Sequence, residues 1–212
     1  MDEKDKAKVL EMIKQADMVL VGIGGELEAK DMDESRYHSV KKTYGRLAKA
    51  LQGKNYFIIT TNTDDCVYAS PLLSDRIVAP CGSVHRYQCS AGCCKELWEN
   101  KEGVCPFCGA VLCENTVRAE HYVEESYLEQ WNRYTKWLTG TLNRRLCILE
   151  LGVLLELPAV IRWPFEKMAF LNEKAFLIRL NEGLPQLSAE LKGKALSIKC
   201  HPVTFFDESF EE

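Results

Sequence analysis

No stretch of this sequence is apolar for long enough to span a bilayer. The longest candidate, Leu146 to Trp163, is interrupted by Glu150, Gly152, Glu156 and Pro158, which suits a buried strand, a turn and a helix start. The N-terminus, M-D-E-K-D-K-A-K, carries charge where a signal peptide carries its apolar core, so the expected location is cytoplasmic, with no membrane partner. A basic stripe is missing too. The 27 Lys and Arg are interspersed with 31 Asp and Glu for a net charge of -4, which argues against nucleic acid as a partner. Repeats and low-complexity linkers are absent. What remains, 212 residues at 46% hydrophobic, is enough for one medium domain with a real core, or such a domain plus a small insertion. Ten cysteines without a secretory signal point to a reducing compartment, where clustered thiols bind metal more often than they pair.

Taken in order, the chain alternates helical and strand-like patterns. Residues 5 to 16 carry an apolar stripe at Val9, Leu10 and Ile13. Met18 to Val21 reads as a buried strand running into Gly22-Ile23-Gly24-Gly25, where a diphosphate can approach backbone closely, or where the chain simply turns. A helix is expected over 37 to 51, then a strand, Tyr56 to Ile59, ending in Thr60-Thr61-Asn62-Thr63-Asp64-Asp65. Such a polar cluster at a strand's carboxyl end is a ligand position in parallel sheets, or an Asx-rich turn capping the next helix. Arg76 to Ala79 leads to Pro80-Cys81-Gly82-Ser83. The helical pattern of 124 to 144 holds Tyr127, Trp131, Tyr134 and Trp137, read as packing aromatics because no basic groove accompanies them. Cys147 to Gly152 is a strand ending in glycine, Pro164 to Leu171 a helix, Phe176 to Asn181 a strand, Ala195 to Lys199 a short final strand, and Asp207 to Glu212 a solvated acidic tail. The fold class is therefore α/β, with an open, mostly parallel sheet and helices on both faces, its glycine and Asn/Asp clusters converging on one rim.

In the middle of this pattern sits a cysteine clasp. Cys89 and Cys93 are separated by three residues, Cys105 and Cys108 by two, the latter within C-P-F-C-G. Four thiolates suit tetrahedral zinc with no open position, hence a structural ion that helps fold an insertion too small for its own core. Cys94 competes with Cys93 as second ligand, Cys113 is close enough to serve as a reserve, and His85 is a weaker candidate.

The order of motifs resembles the sirtuins, Sir2-like NAD-dependent enzymes, and the wording comes nearest their macrodomain-linked bacterial branch. The similarity is carried by the glycine loop after the first strand, T-x-N-x-D at Thr60 to Asp64, Q-C-S-x-x-C at Gln88 to Cys93, and C-P-x-C-G at Cys105 to Gly109. It continues through L-E-L-G-V at Leu149 to Val153, P-A-V-I-R-W-P-F-E at Pro158 to Glu166 and L-I-R-L-N at Leu177 to Asn181. The resemblance spans residues 18 to 183 and favours Cys93 over Cys94. It implies a Rossmann-like, DHS-like NAD-binding lobe over 1–81 and 146–212, with a zinc-ribbon and helical small lobe over 82–145. By position, Gly22, Gly24 and Gly25 would line the phosphates, and Thr61, Asn62 and Asp64 the nicotinamide ribose. Gly152 and Asn181 would border the adenosine half, and Cys81 or Gln88 would lie near the reacting carbon.

The chain also departs from that pattern. Deacylating sirtuins have His-Gly where it has Cys81-Gly82, so their general base is absent. Glu26 would set an acid near the phosphates, and Val153-Leu154 replaces a Thr-Ser pair. The segment from Glu28 to Arg36 is short for a cofactor loop. The implied activity is NAD-dependent ADP-ribosyl transfer to a protein acceptor. The alternative is an inactive module that binds NAD, ADP-ribose or a protein partner, and a lysine deacylase is the weakest reading.

Overall fold

The computed structural model describes residues 3–29 and 33–209. Residues 30–32 of the short acidic segment and 210–212 of the tail lie outside the described residues. The elements are α1 (Glu3–Gln15), β1 (Met18–Ile23), α2 (Glu34–Ala50), β2 (Asn55–Thr60), β3 (Ile77–Val78), β4 (Gly82–Cys89) and β5 (Leu112–Thr116). They continue with α3 (Glu125–Thr139), β6 (Leu146–Leu151), α4 (Arg162–Leu171), β7 (Ala175–Leu180), β8 (Ala195–Ile198) and α5 (Pro202–Ser209).

Six strands form one sheet in the order β3-β2-β1-β6-β7-β8, and every pairing in it is parallel. Strands β1 and β6 are buried along their whole length, as expected for parallel strands covered on both faces. Against one face pack Val9 and Ile13 of α1, Tyr44 and Leu47 of α2, and Phe205 and Phe206 of α5. Against the other pack Tyr134 of α3 and Phe165 and Ala169 of α4. The aromatics of α3 belong to this second core, where Phe57 lies 5.4 Å from Tyr134 and 5.9 Å from Trp137 between ring centres.

Two features position the site. The chain runs outward from β1 to β3 on one side and from β6 to β8 on the other, so the strand order reverses between β1 and β6. Ligand crevices in open α/β sheets form at the carboxyl ends of the strands flanking such a reversal. Secondly, β4 and β5 form a separate antiparallel ribbon, tied to the rim where the Val84 N–H donates to the Thr63 carbonyl at 2.9 Å.

The solvated tail expected from Asp207 does not begin there. Pro202 starts α5, Phe205 and Phe206 are fully buried, and Asp207 pairs with Arg46 and lies 3.6 Å from Lys42. Among the described residues no helix is long and apolar enough to cross a membrane.

Candidate functional site: a four-sulfur cluster and a cavity at the sheet rim

Strand β4 ends at Cys89 and β5 opens beside it, with Cys89 opposite Leu112. The sulfurs of Cys89, Cys93, Cys105 and Cys108 all lie within 4.8 Å of one another, with Cys89–Cys108 at 3.5 Å and Cys93–Cys105 at 3.4 Å. Those separations exclude disulfides, whose sulfurs sit at about 2.05 Å. A tetrahedral zinc with bonds of about 2.3 Å holds its sulfurs about 3.8 Å apart, so the donor set and its spacing fit that ion. Backbone N–H groups of Phe107 and Cys108 face the Cys105 sulfur, and Gly109 takes a left-handed φ of 74° to complete the knuckle. Cys94 is outside the cluster and packs against it with Trp98 and Ala110. Four protein sulfurs leave no open ligand position, so the cluster's role is structural.

The second site is a cavity of about 200 Å³ at the carboxyl ends of β1 and β2, closed on its far side by β5. Thr61 and Asn62 line it from the loop after β2, Gly25 and Leu154 from the β1–β6 side, and Cys81 from the start of the ribbon. Asn62 is 4% exposed, and neither the nitrogen nor the oxygen of its amide has a hydrogen-bond partner. The Tyr44 hydroxyl stands beside the Asn62 amide but donates to the Leu27 carbonyl at 3.2 Å. The Cys81 thiol is buried, and burial, helped by the Glu28 carboxylate, pushes its pKa up to about 12. It is therefore neutral at pH 7 and supplies no thiolate. Three carboxylates, Glu28, Glu114 and Glu156, share the lining with one cation, Arg118. Arg118 lies 3.7 Å from Glu156, and Glu28 accepts from the Thr63 N–H and hydroxyl at 3.4 and 3.2 Å. These four lining charges were invisible as a group in the sequence because they come from three separate segments.

The other residues singled out from sequence take different places. Asp64 accepts from the backbone N–H of Ala29 and, at 3.0 Å, from that of Cys66, so it braces two loops. Gln88 is fully buried and committed: its amide donates to the His121 carbonyl and accepts from Asn115 and the Val123 N–H. Gly22 makes room for α4, since a Cβ there would stand 2.5 Å from Ile161 and 2.6 Å from Phe165. A Cβ on Gly24 would meet the Val153 backbone at 2.4 Å, and one on Gly25 would meet Leu154 at 2.6 Å. The Val153-Leu154 pair thus fills the groove beside the glycine loop. Asn181 is buried, donating to the Val153 carbonyl at 2.9 Å and accepting from the Leu184 N–H at 2.6 Å.

Behind this rim lies a buried charge network whose members are isolated charges in the sequence. Arg179 forms a fork with Glu150, at 2.8 and 2.9 Å, and reaches Glu166 at 2.8 Å. Arg162 donates to the carbonyls of Val153 and Leu184 at 3.2 and 2.7 Å. Each of the last three sequence motifs contributes a member. Together they fix the turn after β7 against the turn after β6.

No protein-family model matches the chain. It is similar to a curated protein ADP-ribosyltransferase of Staphylococcus aureus, 26% identical over 164 residues, covering 68% of this chain and 52% of that protein. A probable bifunctional ADP-ribose hydrolase/ADP-ribosyltransferase of Fusarium oxysporum f. sp. cubense is 25% identical over 157 residues, 62% of this chain and 26% of that one. The chain is thus matched to about half, and about a quarter, of the length of these two relatives. Among solved structures, Sir2 bound to the inhibitor EX-527, 2'-O-acetyl-ADP-ribose and a deacetylated p53 peptide superimposes with a TM-score of 0.66. The match covers 95% of this chain and 96% of that one at 15% identity. A complex of Sir2 with a p53 peptide and NAD+ gives 0.63 over 98% and 97% at 14% identity.

Proposed function

We propose that this chain, which has the Sir2 fold, binds the nicotinamide–ribose end of NAD in the cavity around Asn62 and transfers ADP-ribose to a protein acceptor. The observation behind this reading is the Asn62 side chain, buried in the cavity wall with both ends of its amide unpaired. An unsatisfied buried polar group costs about 1–3 kcal/mol, and such groups are rare in native folds away from sites where something completes them. The names of both curated relatives and the Sir2–NAD+ complex support the same ligand and reaction.

NAD supplies an electrophilic ribose carbon when its nicotinamide leaves as a neutral molecule. The chain's residues would act on that carbon's surroundings. Asn62 would orient the ribose, and the acidic lining of Glu28, Glu114 and Glu156 would favour positive charge. The neutral Cys81 would exclude water. Glu28, braced by Thr63, would accept the proton released by the acceptor. On this reading residues 1–81 and 146–212 form the NAD-binding lobe and 82–145 the small lobe, whose ion holds the ribbon that walls the cavity. The fit is local. About 200 Å³ suits the nicotinamide–ribose end, whereas sites for whole ligands run from about 300 to 1,000 Å³.

The neutral Cys81 and the filled groove at Val153-Leu154 favour a second reading, in which the chain binds without turnover. One experiment divides the two: incubation with NAD and acceptor protein, following free nicotinamide. Release that disappears in Asn62→Ala supports the transferase. Calorimetric binding without release leaves the binding module, and no binding of NAD or ADP-ribose at millimolar ligand removes the transferase and the nucleotide-binding module and leaves only a scaffold for a protein partner.

A further inference from the structure

The turn after β7 exposes three successive backbone N–H groups. That of Leu184 is taken by the side chain of Asn181. The other two are taken by a residue from the far side of the rim: the Glu26 carboxylate accepts from Glu182 N–H at 3.0 and 3.2 Å and from Gly183 N–H at 3.2 Å. Consecutive amides of this kind form an anion-binding nest, and charge-assisted bonds to a carboxylate are about twice as strong as neutral ones.

The surroundings are built around that contact. Glu26 lies in the short 3-10 turn Gly25–Leu27, and its own N–H donates to the Gly152 carbonyl at 3.1 Å. Its side chain crosses directly over Gly152, which takes φ 60° and where a Cβ would stand 2.4 Å from the Glu26 Cβ. Arg162 and Arg179 donate to carbonyls of Leu184 and Gln186 and so hold the turn that presents the amides. Sequence alone placed Glu26 as a repulsive charge facing phosphates. In the fold it bridges the rim from the β1 side to the β7 side.

We propose that Glu26 is an internal ligand: it occupies the Glu182–Gly183 amide nest that the ADP half of a dinucleotide would otherwise take, NAD must displace it to seat fully, and it so determines which ligands the cleft favours. The proposal rests on the reading that the Asn62 cavity takes the nicotinamide–ribose end. A ligand confined to that cavity is indifferent to Glu26. A ligand that extends along the rim with phosphates and a second ribose competes with the carboxylate for the same donors and meets its charge.

Calorimetry on the full chain tests this with ADP-ribose and with nicotinamide riboside, using wild type, Glu26→Ser and Glu26→Gln. In Glu26→Ser, ADP-ribose affinity should rise by at least about tenfold, the loss of charge-assisted bonds on the competing side being worth that much. Glu26→Gln keeps the shape and an accepting oxygen, so it should rise by less. Nicotinamide riboside should bind all three alike. Amide hydrogen exchange at Glu182 and Gly183 should be slow in wild type, fast in Glu26→Ser, and slow again when ADP-ribose is added to that variant. Equal ADP-ribose affinity in wild type and Glu26→Ser overturns the proposal, as does exchange at the two amides that ignores the substitution. Failure of nicotinamide riboside to bind any form, with the ADP-ribose trend intact, overturns the reading of the Asn62 cavity and leaves the internal ligand standing.

Discussion

Consider replacing Glu150 with alanine. Glu150 and Arg179 are both fully buried, and Glu150 provides two of the three carboxylate contacts that the Arg179 guanidinium makes. After the change, Arg179 keeps Glu166, whose side chain is 23% exposed, and faces Arg162 without the carboxylate that lies between them at 3.7 Å from the latter. Breaking a buried ion pair from one side costs about 3–5 kcal/mol. For a domain of this length that corresponds to a fall in Tm of roughly 6–20 °C. Beside Glu150→Ala, urea denaturation of Glu150→Leu, Arg179→Met and Glu150→Leu/Arg179→Met completes a cycle. The double variant should lose far less than the sum of the singles, because an apolar pair can replace a buried ionic one at little cost. Two results would refute this reasoning. One is a loss below about 1 kcal/mol for Glu150→Ala, and the other is strict additivity in the double variant.

Three further outcomes are expected. Purified protein should contain about one zinc per chain, and either chelation or Cys105→Ser should abolish amide protection over residues 89–113 while leaving the six-stranded sheet protected. Gly82→Ala should cost about 3 kcal/mol by urea denaturation, since φ is 85° and a Cβ would lie 2.1 Å from the Asn115 carbonyl oxygen. By contrast, Gly53→Ala, with φ 72° but open space, should cost only about 1 kcal/mol. Hydrogen bonding from Arg145 lowers the Asp17 carboxyl to about 2. Its contribution is complete above the unfolded carboxyl's range near 4 and is lost as pH falls towards 2, so wild-type stability should drop more steeply than that of Asp17→Asn across that window.

The sheet could be read from sequence because parallel strands buried on both faces are written as unbroken apolar runs, as in Met18-Val19-Leu20-Val21. The cysteine spacing was equally legible, since a knuckle's ligands are close in the chain. Helix α5 was not. Its eight residues carry Asp207 and Glu208, and only the Pro202 start and the Phe205-Phe206 pair, both buried, distinguish it from a solvated tail. The site was legible in part. Thr61, Asn62 and Cys81 do line one cavity, whereas Asp64 and Gln88 spend their side chains on backbone groups and on Asn115, partners that only the fold reveals. Glu150 and Arg179 stand in separate strands as isolated charges, and no local pattern says that they will meet.

The pairing of β1 with β6 bears on how the chain folds. Met18 lies opposite Leu146, so more than half of the chain separates the two sides of the sheet's central seam. Closing a segment of that size costs entropy that grows with its free length, and such distant pairings slow folding. The ribbon and its sulfur cluster sit inside the intervening segment and are closed by contacts local to residues 82–116. Ordering them first shortens the free chain that the seam must gather. Metal supply during synthesis would therefore speed the assembly of the whole sheet, by less than about twofold on closure entropy alone, beyond any effect on the finished protein.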